Sequence, residues 1–271
     1  MKRVHFMGIG GVGMAGLAFL LKRAGYAVSG CDVSATPRTR WLEACGIPVA
    51  CRHDPAHLAE ADELIVTPAV PSDAPELVQA RARGLDVRYR GAVLADCVNA
   101  AHGIAVCGTH GKTTTATFAA KLLAALGDAP SWCIGGETGA MPVAGPQEPT
   151  ASRLLVVEAD ESDGTLALYH PRILVLNAVD FDHLEHFASP EDYFDCYRSA
   201  VRNTTDTVIV CADQPGTVAY VSSEFIMVTP DGTLPSGKAK FDDNPAKGVR
   251  RYNLQKFRRC NAGTCFNQKP I

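Results

Sequence analysis

The residues of this 271-residue chain best suited to chemistry are Gly108-Thr-His-Gly-Lys-Thr-Thr-Thr115. The apolar run Ile104 to Cys107 before them reads as a buried strand. The spacing from Thr113 through Phe118, Leu122 and Leu123 predicts a helix after them. A glycine loop between strand and helix turns backbone N–H groups and the positive helix end toward a bound anion. In such a loop Lys112 reaches the β and γ oxygens of a nucleotide, and the Thr113 hydroxyl can hold Mg²⁺. The full phosphate-loop motif has its first glycine where this chain has Val106; the early glycine here is Gly108. An ordinary glycine turn would leave Lys112 and Thr113 without a role. Gly108, Thr109, His110, Gly111, Lys112, Thr113 and Thr114 are therefore read as an ATP site.

A second glycine loop lies near the N-terminus. Arg3 to Met7 reads as a strand, Gly8-Ile-Gly-Gly-Val-Gly13 follows at once, and Met14 to Ala24 has helical periodicity. Gly25 is a helix stop and Ala27 to Asp32 the next strand. The unit carries G-x-G-x-x-G at Gly8, Gly10 and Gly13, with an acid about 20 residues on at Asp32. A pyrophosphate fits the helix end and a ribose the carboxylate. NAD and a nucleotide-sugar fit these groups equally.

Two acidic clusters follow strands that would flank the phosphate-loop strand. Arg153 to Val157 delivers Glu158-Ala-Asp-Glu-Ser-Asp163, and Ile173 to Asn177 precedes Asp180-Phe-Asp-His-Leu-Glu-His186. An ATP enzyme needs oxygen ligands for Mg²⁺ there. Acids at strand ends are most often simply solvated, but with Lys112-Thr113 in the same sheet Glu158 is the chosen carboxylate ligand. His183 and His186 with Glu185 fit neither H-E-x-x-H nor H-x-x-E-H, so a zinc-peptidase reading fails.

The elements that must position these loops alternate in type. Thr39 to Cys45, Glu76 to Arg83 and Pro190 to Val201 read as helices. Ile47 to Ala50, Glu63 to Thr67, Leu85 to Arg88 and Thr207 to Cys211 read as strands. Such alternation implies parallel sheets with helices on their faces. The fold class is α/β, with a Rossmann-like parallel-sheet domain over 1–100 and a phosphate-loop α/β domain over 101–230, expected to be incomplete. Asp96 to Gly103 reads as the linker and Met141 to Ser152 as a surface loop rich in Pro and Gly. Residues 231–271 hold nine Lys/Arg against three Asp with little apolar periodicity. A disordered basic tail, or the disrupted end of a longer gene, is expected there. Its Cys260 and Cys265 are too few ligands for zinc.

A net charge of −3 offers no electrostatic case for nucleic acid or an anionic membrane. No apolar run nears the roughly 20 residues of a membrane span. Ten cysteines sound like a disulfide framework, but eight are scattered through apolar runs without any C-x-x-C. Buried reduced thiols in a cytoplasmic protein are the better reading.

Taken in order, Gly8 to Gly16, Val28 to Asp32, Gly108 to Thr115, Ile134-Gly-Gly136, Glu158 to Asp163, Asn177 and Asp182-His183 resemble the Mur ligases. These are ATP-dependent amino-acid-adding enzymes of peptidoglycan synthesis, and the resemblance covers about residues 1–215. It is strongest to the branch that joins L-alanine to UDP-N-acetylmuramate; the branch that adds a whole recycled peptide is the alternative. The resemblance implies that Gly8, Gly10, Gly11, Gly13, Met14 and Asp32 bind UDP-N-acetylmuramate and not NAD. It implies ATP and Mg²⁺ in the second domain, with Lys112 and Thr113 on phosphate and metal, and Glu158 and His183 on a second Mg²⁺. His110 and Asn177 would line that site. ATP would phosphorylate the lactyl carboxylate, and the amine of L-alanine would attack the acyl phosphate. A third domain closes over ATP and the amino acid in that family, and this chain is too short to include it. It is therefore expected to bind its nucleotides and turn over little. Two other classes stand beside this one, a non-catalytic nucleotide-binding remnant and an NAD-dependent oxidoreductase. The latter leaves Gly111-Lys-Thr113 unused.

Overall fold

The computed structural model describes residues 1–136, 142–146, 152–180, 187–211 and 226–228. The expectations placed on His183 and on residues 231–271 lie outside the described residues.

The chain starts with β1 (Arg3–Met7), α1 (Val12–Arg23) and β2 (Ala27–Cys31). Alternation in β1 sends Val4 and Phe6 into the core shared with α1, and Met7 into a second cluster on the opposite face. Gly8 and Gly25 take φ of +79° and +90°, so glycine ends both β1 and α1. Next come α2 (Pro37–Ala44), β3 (Val49–Ala50), a 3-10 turn (Pro55–Leu58) and β4 (Glu63–Val66). The unit closes with α3 (Pro75–Ala82), β5 (Asp86–Tyr89) and α4 (Arg90–Ala100). Its sheet runs β3-β2-β1-β4-β5, parallel throughout. The order reverses beside β1, which opens a crevice at the C-terminal ends of the strands, where the first glycine loop sits.

The second unit begins with β6 (His102–Cys107), α5 (Lys112–Ala125), β7 (Ser131–Cys133) and β8 (Ala144–Gly145). It continues through β9 (Leu154–Glu158), a 3-10 turn (Thr165–Leu168) and β10 (Ile173–Leu176). Then follow α6 (Pro190–Asn203), β11 (Thr207–Cys211) and β12 (Ile226–Val228). The order is β12-β11-β10-β6-β9-β7-β8, with only β8 antiparallel. β6 therefore lies between β9 and β10, and Glu158 pairs with Val106 while Leu176 pairs with Cys107. Glu158, and Asp180 shortly after β10, therefore lie at strand ends beside the phosphate loop.

Four local expectations are corrected. The linker expected at Asp96 to Gly103 is the second half of α4 and the start of β6, with only Ala101 between them. The stretch read as a surface loop contains β8, and Val143 and Ala144 are buried. Contact with α1 of the other unit buries that edge, a tertiary effect that loop composition cannot reveal. α5 exposes Phe118 at 65% and buries Ala116, Thr117 and Ala120 instead. Small residues let the helix lie close on the sheet, which reverses the face that the large side chains suggested. Glu158, expected just past its strand, is the last residue of β9.

One apolar core runs from Val4 to Val210 through both units. Close approach at their boundary depends on glycine. A Cβ at Gly16 of α1 would lie 2.7 Å from Cys133 Sγ, and one at Gly91 of α4 would lie 2.8 Å from Asp163 Oδ2. Cys31, Cys107, Cys133 and Cys196 are buried free thiols, whereas Cys51 is exposed. Among the described residues no helix is long and apolar enough to cross a membrane.

α6 braces the phosphate loop, and its start is set by Ser189, whose side chain accepts from the Asp192 amide. Removing such a cap costs about 1 kcal/mol. Ser189→Ala is expected to lower the urea midpoint accordingly with unchanged m-value; an unchanged midpoint would show that helix packing alone sets that end.

Candidate active site

Gly108 and Gly111 adopt φ of +121° and +80°, and Gly111 is the left-handed residue that starts α5. Gly108 has no room for a side chain, and at Gly111 one would be strained by the positive φ and would crowd Asn177. A Cβ on Gly108 would lie 2.9 Å from the Ala178 carbonyl oxygen, and one on Gly111 3.2 Å from Asn177 Nδ2. The early glycine at 108 is thus required by the chain of Asn177 and Ala178 crossing over the loop. The same segment ties the loop down. The Thr109 amide donates to the Ala178 carbonyl at 2.7 Å, and Asn177 Nδ2 donates to Thr115 Oγ1 at 3.1 Å. Thr109 Oγ1 also lies 3.1 Å from the hydroxyl of Tyr193 on α6. His110 Nε2 stands 3.7 Å from Asp180 Oδ2, both exposed, and Thr114 is exposed in the first turn of α5.

Lys112 Nζ donates to the Gly108 carbonyl at 2.8 Å and to both oxygens of Glu161 at 3.0 and 3.1 Å. Glu161 is fully buried. Burial lifts its carboxyl above the ordinary range, while Lys112 pulls it back. The Thr113 hydroxyl and the Gly135 amide each donate to Glu158 Oε2 at 2.9 Å. Gly135 and Gly136 keep this corner open: their Cβ atoms would lie 3.0 Å from Glu158 Cδ and 2.5 Å from Thr113 Cγ2. A hydroxyl and a carboxylate with room beside them form an oxygen-only donor set that fits Mg²⁺.

In the first glycine loop the Gly8 and Ile9 amides donate to the Cys31 carbonyl at 2.9 and 3.0 Å. The Gly10 amide donates to Asp32 Oδ2 at 2.8 Å, and Arg38 Nε donates to the Gly10 carbonyl at 2.6 Å. Asp32 therefore holds its own loop. Gly13 leaves space for Arg90, whose Nη1 would lie 2.9 Å from a Cβ there.

The two loops share one cleft of about 590 Å³. Gly11, Gly13 and Met14 line one wall, and His110, Lys112 and Glu158 line the other; Gly8, Gly10 and Asp32 shape the loop from behind. Arg90 spans the two units, with Nη2 3.2 Å from Asp160 Oδ2. Burial pushes the Asp160 carboxyl up, but the Ser162 amide and the Arg90 charge outweigh it and hold the group below its ordinary range. Arg90, Asp160 and Glu161 were not singled out from sequence. The two acids lay inside a cluster already noticed; Arg90 gave no signal, because α4 had no counterpart among the expected elements.

Both units match known proteins. The model of the Mur ligase family, catalytic domain, matches residues 3–102, and that of the Mur ligase middle domain matches 106–230. UDP-N-acetylmuramate--L-alanine ligase of Kineococcus radiotolerans is 41% identical over 222 residues, which are 80% of this chain and 47% of that protein. Among solved structures, UDP-N-acetylmuramate-alanine ligase from Thermotoga maritima superposes with a TM-score of 0.75 at 30% identity. That match covers 84% of this chain and 53% of the other. UDP-N-acetylmuramate:L-alanyl-gamma-D-glutamyl-meso-diaminopimelate ligase from Neisseria meningitides gives the same TM-score at 31% identity, covering 84% and 78%. The chain spans about half the length of the curated relatives it matches.

Proposed function

Because the chain belongs to the Mur ligase family, we propose that it supplies the two nucleotide-binding units of an ATP-dependent ligase that joins L-alanine to UDP-N-acetylmuramate in the cytoplasm. The observation that carries this reading is the shared cleft. A sugar nucleotide on the first loop and ATP on the second would meet across a single space lined by Gly11, Gly13, Lys112 and Glu158. L-Alanine as the acceptor follows the names borne by the curated relatives.

The residues divide the work by charge. The first turn of α1, at Val12 and Gly13, and the Arg90 guanidinium line the cleft on the side where the pyrophosphate would lie. Lys112 already carries a carboxylate partner in Glu161, so its ammonium is held near the loop before any phosphate arrives. A γ-phosphate there would exchange with the Gly108 carbonyl as a hydrogen-bond acceptor. Thr113 and Glu158 would hold Mg²⁺, which would neutralise phosphate charge as the γ group moves. In the reaction the γ-phosphoryl group of ATP would pass to a carboxylate oxygen of the sugar's lactyl arm, with ADP as the leaving group. The alanine amine then attacks the acyl carbon, and inorganic phosphate leaves with the C–O bond electrons.

Calorimetric titration separates this from a dinucleotide reading. UDP-N-acetylmuramate is expected to bind saturably and NAD to give no heat. NAD binding with no response to the sugar nucleotide would overturn the proposal.

Glu158→Gln keeps the size of the side chain and its ability to accept from Thr113, but removes the charge that a cation needs. The Mg²⁺ concentration supporting half-maximal ATP binding is expected to rise about tenfold or more, the scale of a damaged metal site. ATP binding without metal should change little. Identical Mg²⁺ dependence in the two proteins would remove Glu158 from the ligand set.

A further inference from the structure

Away from the cleft, under α3, four residues with metal-binding side chains converge and take no part in the site above. Across the β1–β2 pair His5 lies beside Ser29 and Met7 beside Cys31, so His5 and Cys31 share the face opposite Val4 and Phe6. The Pro55–Leu58 turn brings His57 over that face, and the first turn of α3 brings Glu76. His5 is 2% exposed, and Cys31 and Glu76 are fully buried. One ligand atom from each of His5, Cys31, His57 and Glu76 lies within 4.8 Å of all the others.

A carboxylate this deep needs partners. Glu76 accepts from the Asp54 amide at 2.8 Å and stands 3.1 Å from His57 Nδ1 and 3.4 Å from Cys31 Sγ. His53 lies at the edge, with Nδ1 3.0 Å from Cys31 Sγ and 3.3 Å from Glu76. The cluster is nevertheless incomplete. His5 uses Nδ1 toward Ser29 Oγ at 2.9 Å, and its buried Nε2 has no hydrogen-bond partner among the described residues. A histidine fixed through one ring nitrogen with the other left bare is how proteins commonly prepare an imidazole for a metal.

We propose that His5, Cys31, His57 and Glu76 form a structural site for a thiophilic divalent cation of the Zn²⁺ class. Two imidazoles, a thiolate and a carboxylate suit such an ion and not Mg²⁺. Bonds of about 2.0–2.3 Å in a tetrahedron place ligand atoms roughly 3.4–3.8 Å apart, so the cage has only to contract by about 1 Å. On binding, Cys31 gives its proton to solvent and a metal–sulfur bond forms; thiolate and carboxylate together balance the two positive charges. Four protein ligands leave no open position, which makes the site structural. It would fasten β1, β2, the Pro55–Leu58 turn and α3 together at Cys31, whose carbonyl anchors the first glycine loop.

The test is a Co²⁺ titration of the full chain carrying Cys260→Ser and Cys265→Ser, so that no tail thiol contributes. The expected result is uptake of one equivalent with tetrahedral visible bands and a thiolate-to-cobalt charge-transfer band. Zn²⁺ should displace it and excess Mg²⁺ should not. Cys31→Ser should abolish the charge-transfer band. His57→Ala, whose side chain reaches solvent and least burdens the core, should weaken Zn²⁺ binding more than about 100-fold, beyond the loss expected for a merely supporting group. No uptake would overturn the proposal and leave a hydrogen-bonded cluster centred on Glu76. A thiolate band that survives Cys31→Ser would overturn it too. So would Co²⁺ bound without such a band and displaced by Mg²⁺, the behaviour of the oxygen ligands Thr113 and Glu158.

Discussion

Lys112→Ala is expected to weaken binding of ATP with Mg²⁺ by about 10- to 150-fold. A hydrogen bond to a charged group is worth roughly 1.5–3 kcal/mol, and each 1.4 kcal/mol is about tenfold in affinity. The substitution also strips buried Glu161 of its cation. Breaking a buried pair costs about 3–5 kcal/mol when the remaining charge stays ionised. Glu161 has an exit, because burial already lifts its carboxyl and loss of Lys112 removes the group that pulled it down. It should take up a proton, and the stability cost should fall as the pH is lowered toward the carboxylate range. Adding Glu161→Gln to Lys112→Ala separates the two effects. The double variant should regain stability and stay deficient in ATP affinity. Calorimetric titration of nucleotide, beside a urea midpoint for each variant, reads both. Unchanged affinity in Lys112→Ala would reduce the loop to a structural turn.

Both glycine loops were legible in the sequence because their constraints are local. Gly8, Gly25 and Gly111 need positive φ, and Gly108 needs it together with the absence of a side chain. Strand, turn and helix follow within a dozen residues of each loop. The flanking positions of β9 and β10 were also legible, since short parallel strands with acids at their C-terminal ends have few places to go in an α/β sheet. What sequence could not supply was depth. Ala116, Thr117 and Ala120 are buried while Phe118 is not, because α5 packs on the sheet through its small residues. β8 reads as loop until α1 of the other unit covers it.

Candidate-site residues divide in the same way. Lys112, Thr113 and Glu158 announce themselves by type and spacing. Asp32 was read from its distance along the chain as a ribose ligand, yet here its carboxylate binds the Gly10 amide. One carboxylate can serve the loop that a ligand rests on, and spacing alone cannot separate the two duties. Glu161 and Asp160 sat unmarked among six residues of which four are acidic, and only the fold shows that one meets Lys112 and the other Arg90. The histidines and cysteine beneath α3 are separated by 26 and 52 residues of chain from His5 to Cys31 and His57. Strand pairing puts His5 and Cys31 on one face, and the Pro55–Leu58 turn lays His57 over it.

Arg90→Ala is the second substitution with a large expected effect. Arg90 heads α4, lines the cleft, lies against Gly13 and reaches Asp160 across the boundary between the units, with its side chain only 16% exposed. A guanidinium in that place, beside the N-terminal turn of α1, is suited to an anionic ligand as a planar fork of donors. On the same scale as Lys112, its loss should weaken UDP-N-acetylmuramate binding by about 10- to 150-fold. The rival account makes Arg90 a brace between the two units and nothing more. Asp160→Asn discriminates, because it breaks the ion pair but leaves the guanidinium in the cleft. If Arg90 meets the ligand, Asp160→Asn should bind the sugar nucleotide at least as well as the parent, since a competing carboxylate has gone. Arg90→Lys, which keeps the charge without the fork, should fall between parent and Arg90→Ala. If Arg90 is only a brace, Asp160→Asn and Arg90→Ala should lower the urea midpoint alike and leave calorimetric affinity where it was.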